Sequence, residues 1–184
     1  HEWMAENLNV AHYRNGDPIP QIPEKKEWSN ATAGAWCYYE NNPDNGKIYG
    51  KLYNWRVLTD KRGIAPAGWH VPSPAERREL VDYLGGEEIA AAKMKAGRLW
   101  DPPSTKAVNE SGFAALPGGC RDSDLTFKYA GQEGYFWIEP HLWERTATIE
   151  ATLPFLSLGD RCSLGRVSAF GYGMSIRCLR DHDD

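Results

Sequence analysis

The run Gly68-Trp69-His70-Val71-Pro72-Ser73-Pro74-Ala75-Glu76, continued by Arg77-Arg78-Glu79-Leu80-Val81-Asp82-Tyr83-Leu84-Gly85-Gly86, leaves the backbone little local freedom. Trp69 and Val71 alternate with His70 as in a short strand, which buries the first pair and sets the imidazole at a polar boundary. Ser73 then offers an N-cap, Pro74 takes a first-turn position where a missing N–H costs nothing, and Glu76 can reach back as the capping-box partner. Leu80, Val81 and Leu84 form one apolar stripe, with Glu79 and Asp82 facing away. Gly85-Gly86 supply the left-handed residue that ends the helix. His70, held at this strand-to-helix corner, reads as a hydrogen-bonded structural histidine rather than a metal ligand or general base.

With 184 residues, 41% of them hydrophobic, the chain can bury one substantial core, and nothing forces a second domain. A formal charge of -4 without a basic run gives no electrostatic reason to expect nucleic acid. No apolar segment approaches the roughly 20 residues a membrane helix needs. Eight tryptophans and nine tyrosines stand out instead, since large rigid rings serve both cores and recognition surfaces. Cys37, Cys120, Cys162 and Cys178 lack C-x-x-C spacing, which argues against zinc or a thioredoxin-like site and leaves three pairings open. His1-Glu2-Trp3 falls inside the first expected strand, so upstream residues, including any signal peptide, are expected outside this sequence.

Along the chain, Trp3 to Val10 reads as an edge strand and Arg14 to Ser29 as a polar loop held extended by prolines. Ala35 to Tyr39 is a short aromatic strand, and Asn41 to Gly46 a turn of residues that tolerate left-handed backbone rather than a calcium loop. Ile48, Leu52 and Trp55 recur at helical spacing, which predicts a helix over Lys47 to Leu58. Glu87-Glu88 ahead of Lys93 and Lys95 suits a helix dipole, so a short helix is expected there. Phe113 and Ala115 mark a further strand. Thr148, Glu150 and Thr152 alternate with Ile149, Ala151, Leu153 and Phe155 as a half-buried strand. Helices against several short strands predict an α+β fold.

Six ordered blocks carry a resemblance: Trp3-Met4-Ala5-Glu6-Asn7-Leu8-Asn9-Val10, Asp17-Pro18-Ile19-Pro20, Glu27-Trp28-Ser29-Asn30, Tyr49-Gly50-Lys51-Leu52-Tyr53-Asn54-Trp55, Gly68 to Ser73, and Gly112-Phe113-Ala114-Ala115-Leu116-Pro117-Gly118-Gly119. Together they resemble the Fibrobacter succinogenes major paralogous domain, and the likeness returns at Gly173 to Asp181. That family is similar to the C-type-lectin-like fold, shared with formylglycine-generating enzymes and with the variable proteins of diversity-generating retroelements. The resemblance implies one C-type-lectin-like (formylglycine-generating-enzyme-like) α+β domain over 1–184, with two main helices and short mixed or antiparallel strands. It also implies a bacterial cell-surface or secreted setting, with any lipid anchor outside the given chain. The family often has a cysteine at the position of Ala65; its loss here argues against an inherited disulfide, and Cys120 and Cys162 read as free thiols. After Gly134-Tyr135-Phe136-Trp137 the family pattern gives way to Ile138-Glu139-Pro140-His141-Leu142-Trp143.

Three function classes compete. A formylglycine-generating enzyme would need a reactive cysteine pair or a metal site, and no such pair is visible, although Arg121, Arg161 and Arg177 flank Cys120, Cys162 and Cys178. A calcium-dependent lectin is suggested by Glu139-Pro140-His141, but His141 is not an oxygen ligand and no Trp-Asn-Asp strand follows to complete the shell. A metal-independent, non-catalytic binding module fits best, with a rigid scaffold displaying a surface built from the C-terminal third. Its expected ligand-binding residues are Asp122, Asp124, Phe127, Tyr129, Glu133, Glu139, His141, Trp143, Arg145, Arg161 and Tyr172, with Tyr135 as a further aromatic anchor. The expected partner is a protein or glycan, without metal, cofactor or nucleic acid.

Overall fold

The computed structural model describes residues 1–102, 107–140, 152–168 and 171–181. The helices are α1 Lys25–Ser29, α2 Pro43–Tyr49, α3 Arg56–Thr59, α4 Pro74–Leu84 and α5 Glu87–Met94. The strands are β1 Trp36–Cys37, β2 Leu52–Tyr53, β3 Trp69–His70, β4 Gly118–Arg121, β5 Phe127–Ala130, β6 Gly134–Trp137, β7 Thr152–Leu158, β8 Cys162–Ser168 and β9 Leu179–Arg180. The fold is mixed α+β. No helix among the described residues is long and apolar enough to cross a membrane.

The corner predicted at residues 68–86 is present. Ser73 Oγ accepts the Glu76 N–H at 3.3 Å, the Glu76 carboxylate accepts the Ser73 N–H at 2.8 Å, and Gly85 ends α4 at φ 106°. Val81 and Leu84 face inward as expected, with Leu80 partly buried against the same cluster, and Arg77, only 5% exposed, joins them, donating to the Cys162 carbonyl at 2.7 Å. That one charge breaks the apolar stripe in the sequence without breaking the packing.

β5-β4-β6-β7-β8 form a five-stranded sheet, antiparallel except between β4 and β6. Pairing of Phe136 with Leu156, and of Trp137 with Phe155, separates two faces by strand alternation. Phe136, Leu156, Leu158 and Cys162 pack with Val81, Leu84, Ala90, Ala91, Met94 and Phe113, so α4 and α5 cover that face. Trp137 belongs to the other core, with Trp36, Tyr53, Val57, Met174 and Ile176. Its indole N–H donates to the Tyr53 carbonyl at 2.8 Å.

The two ends of the chain lie side by side: Met4 N–H donates to Cys178 O at 3.0 Å and Leu8 N–H to Ile176 O at 2.8 Å. Residues 173–175 also join the sheet, since Arg121 exchanges hydrogen bonds with Gly173, and Trp137 N–H donates to Ser175 O. The N-terminal stretch is not a continuous strand, its ladder contact being an isolated bridge between Trp3 and Leu179. Arg177, 2% exposed, ties these pieces together: it donates to Met4 O, Phe113 O and Asn7 Oδ1, with its guanidinium 4.5 Å from the Phe113 ring.

Three local expectations are corrected. The helix predicted over Lys47 to Leu58 is two helices with β2 between them, because Gly50 at φ 76° stops α2 and Leu52 and Tyr53 pair with Cys37 and Trp36. Ile48, placed on the inner stripe by the helical reading, is 47% exposed. The turn predicted at Asn41 to Gly46 is largely the start of α2, capped by Asn42 Oδ1 on the Asp44 N–H at 2.9 Å. Around Phe113 there is no strand, only a bridge from Ala115 to Lys95. Of the strand read at Thr148 to Phe155, β7 contains the part from Thr152; residues 148–151 lie outside the described residues. All four cysteines are buried and free.

His70 is held from both sides, its Nδ1 2.6 Å from Asp181 and its Nε2 2.9 Å from Glu76, which joins β3, the start of α4 and the segment after β9. Burial alone would lower its pKa, but the two carboxylates outweigh it and raise the value above 6.5. A group protonated more tightly when folded contributes stability fully below its unfolded pKa and loses it as pH rises through the folded one. The melting temperature of the wild type is therefore expected to fall as the pH rises from about 6.5 upward, and His70→Gln to remove much of that slope. Thermal melts of both proteins across that range check it, and parallel profiles would refute it.

Candidate functional site

The turn between β4 and β5 is built from residues that bond their own backbone. Asp124 Oδ1 accepts the Thr126 N–H at 3.0 Å, Asp122 Oδ1 accepts the Ser123 N–H at 2.6 Å, and Leu125 takes the left-handed conformation at φ 65°. Lys128 reaches back across the hairpin, its Nζ 2.8 Å from a carboxylate oxygen of both Asp122 and Asp124. Tyr172 donates its hydroxyl to Asp122 from the other side. Burial works against the Asp122 charge, but the Lys128 ammonium, the Ser123 N–H and the Tyr172 hydroxyl together hold its carboxyl below the usual range. Lys128 and Thr126 hold Asp124 low as well. The two carboxylates and the ammonium thus form one fixed cluster that keeps a net negative charge.

Beside this cluster runs an aromatic row. Tyr129 is 43% exposed and its ring centre lies 5.8 Å from that of Tyr135, which is 5.7 Å from Phe155. Gly165 opposite Phe155 makes the space, since a Cβ there would fall 2.3 Å from the Phe155 ring. Glu133 stiffens the row by accepting Ser157 Oγ at 2.8 Å and the Tyr135 hydroxyl. Burial and the Glu133 charge both push the Tyr135 hydroxyl well above the usual tyrosine range. Underneath lies Cys120, 1% exposed, whose thiol is pushed up to about 12 by burial first and then by the charges of Asp122 and Glu133.

Tyr129 sits at φ 68°, a conformation that a bulky residue adopts only under constraint. Its neighbour across the hairpin, Gly119, is also left-handed at φ 60°, and a Cβ at Gly119 would fall 2.3 Å from the Lys128 carbonyl oxygen. The hairpin is locally overtwisted, and the strain is placed at the most exposed ring of the row.

The family model of the Fibrobacter succinogenes major domain matches residues 1–180. The chain belongs to this family. No curated protein and no solved structure matches it.

In this Fibrobacter succinogenes major domain, Asp122, Asp124, Tyr129, Glu133 and Tyr172, all named from the sequence, lie in one region of the surface. Other expected site residues lie elsewhere. Phe127 packs on Tyr39, ring centres 5.4 Å apart, and beneath the buried Arg121 guanidinium. Arg161 lies in the β7–β8 turn, 3.8 and 3.7 Å from Glu87 and Glu88 of α5. Glu139 follows β6, its N–H donating to Pro72 O beside the strand-to-helix corner. His141, Trp143 and Arg145 lie outside the described residues. Lys128 and Phe155 belong to the patch without having been expected there. Lys128 had a signal, a lysine following an Asp-x-Asp turn closely enough to fold back on it. Among the described residues, no group of three or more His, Cys, Asp or Glu is placed to share a metal ion.

The Tyr129 backbone makes a specific comparison available. Tyr129→Ala loses the ring contact, worth about 0.5–1.5 kcal/mol, and keeps the strained φ. Tyr129→Gly loses the same contact but releases the strain, which costs about 1–3 kcal/mol at such positions. Urea unfolding should find the glycine variant the more stable of the two by about 1 kcal/mol; an alanine variant of equal or greater stability would show that Tyr129 is unstrained.

Proposed function

We propose that this chain is a non-catalytic recognition module of C-type-lectin-like fold, binding a protein or glycan through the patch formed by Tyr129, Tyr135, Phe155 and the Asp122–Lys128–Asp124 cluster. The observation that carries this reading is the aromatic row fixed on a sheet whose reverse face is packed by α4 and α5. Rigid rings lose little entropy on binding, and fixed polar groups beside them set orientation. The burial of the four thiols also favours binding over catalysis: a reactive cysteine needs a lowered pKa, whereas burial raises Cys37 and Cys162 to about 11 and Cys120 and Cys178 to about 12.

The module acts outside the cytoplasm in this proposal, secreted or held at the bacterial surface. If the chain is a retroelement-diversified variable protein, substitutions among its close relatives should concentrate at the exposed positions of the patch and spare the buried ones. A glycan array and a panel of bacterial surface proteins test the binding. Tyr129→Ser should weaken the ligand found by about 2 kcal/mol or more, as an interface anchor does, while costing the fold only the roughly 0.5–1.5 kcal/mol of its ring contact. An unchanged affinity would place recognition elsewhere.

The same proposal makes metal removal inconsequential. Elemental analysis should find no stoichiometric metal, and the melting curve should not move with chelator. A loss of more than a few kcal/mol in chelator, the scale of a structural metal, would overturn it.

A further inference from the structure

Trp55, Arg56 and Tyr172 bound a cleft of about 270 Å³ whose rim carries Ser29, Asn30 and Thr32. The Arg56 guanidinium lies 4.7 Å from the centre of the Trp55 ring. Other arginines of the fold spend their donors on the protein: Arg14 on Ala65 O and Trp69 O, Arg62 on Asp17 and Asp60, Arg121 on Ile22 O and Pro23 O. Among the described residues, the Arg56 guanidinium has the Trp55 ring and no hydrogen-bond or carboxylate partner. Stacking fixes its plane while leaving its N–H edge unspent, the geometry that accepts a carboxylate with two parallel bonds.

The rest of the cleft is neutral and rigid. Beneath it, Trp28 donates its indole N–H to Gly171 O at 2.9 Å, and Asn54 is fixed through Ala35 N–H and Ala33 O, both at 3.0 Å. The side chains of Asn30 and Thr32 make no hydrogen bond to the protein among the described residues and carry both donors and acceptors. Such groups suit ring hydroxyls, which also donate and accept, whereas a lone carboxylate side chain would call only for donors. The volume is below the range of drug-sized pockets, so a single ring is the matching occupant.

We propose that this cleft is a subsite for a carboxylate-bearing sugar, a uronic acid residue of an acidic polysaccharide, with Arg56 holding the carboxylate and Asn30 and Thr32 the hydroxyls. The subsite shares Tyr172 with the patch but does not use Tyr129, Tyr135 or Phe155, so variants of Tyr129 and of Arg56 tell the two apart.

The test is an NMR titration of the isotope-labelled chain with D-glucuronate, D-glucose, acetate and N-acetyl-glutamate amide at low ionic strength. D-Glucuronate should shift the Arg56 side-chain N–H and the Trp55 indole N–H with a Kd of about 1–10 mM, as expected for one small ligand. The other three probes should bind at least about 10-fold more weakly, which corresponds to about 1.4 kcal/mol. Arg56→Gln, at a half-exposed position, should leave the melting temperature unchanged and erase the preference for glucuronate over glucose. Tyr129→Ser should leave glucuronate binding intact. The proposal is overturned if glucuronate moves neither resonance, if Arg56→Gln binds it as well as the wild type, or if N-acetyl-glutamate amide binds equally well and so shows a carboxylate site without sugar recognition.

Discussion

Arg177, buried with no carboxylate in direct contact among the described residues and only the more distant charge of Glu6 to favour it, is the point on which the rest of the architecture depends. Its guanidinium is satisfied by Met4 O and Phe113 O, by Asn7 Oδ1, and by the faces of Phe113 and Phe136. These partners come from the first segment, the connection after α5 and the central strand β6, so one side chain fixes the mutual position of three distant parts of the chain. Burial pulls its pKa down, and carbonyl dipoles with aromatic quadrupoles must supply what a counter-ion would otherwise give. Arg121 repeats the solution on the other side of the fold, fully buried between Trp28 and Phe127. A chain that uses arginines in this way needs many rings and many fixed carbonyls, which accounts for part of its aromatic content.

The surface around Asp122 and Tyr129 inherits its rigidity from that arrangement. Segment 173–175 is hydrogen-bonded to both β4 and β6, and Tyr172 leads into it, so the Tyr172 contact with Asp122 is set by the closure of the chain ends. The aromatic row is likewise set by strand register, with Gly165 leaving room for Phe155 and Phe155 supporting Tyr135. Exposed residues here are positioned by buried ones from other elements, which suits a surface whose outer identities can vary while its backbone does not.

Local chemistry was legible in the sequence, and long-range decisions were not. The corner at residues 68–86 could be read because its cap, proline and glycines act on their immediate neighbours, and α5 followed from the signs of its terminal charges. The helix read through Lys47 to Leu58 failed because Leu52 and Tyr53 are claimed by pairing with β1, a tertiary preference that overrides helical spacing. Around the β4–β5 turn, aspartates and nearby tyrosines in the sequence pointed to residues that the fold does bring close together, Asp122 with Asp124 and Tyr172. Phe127 was misplaced because residues two apart in a regular strand share a face, and only the left-handed backbone at Tyr129 parts its ring from that of Phe127. Arg161 was misplaced because nothing near it in sequence announces Glu87 and Glu88 of α5.

The pairing of residues near Met4 with residues near Cys178 has a consequence for how the protein is made. During synthesis the first residues emerge with no partner, and β6 has one edge incomplete until Gly173 to Arg177 have left the ribosome. Most of the chain must therefore wait as a partly collapsed intermediate, with Trp137 and Phe136 short of their final neighbours. Contacts of such long sequence separation slow folding and prolong the exposure of apolar surface. Closure by residues 173–177 is thus the step that covers these rings.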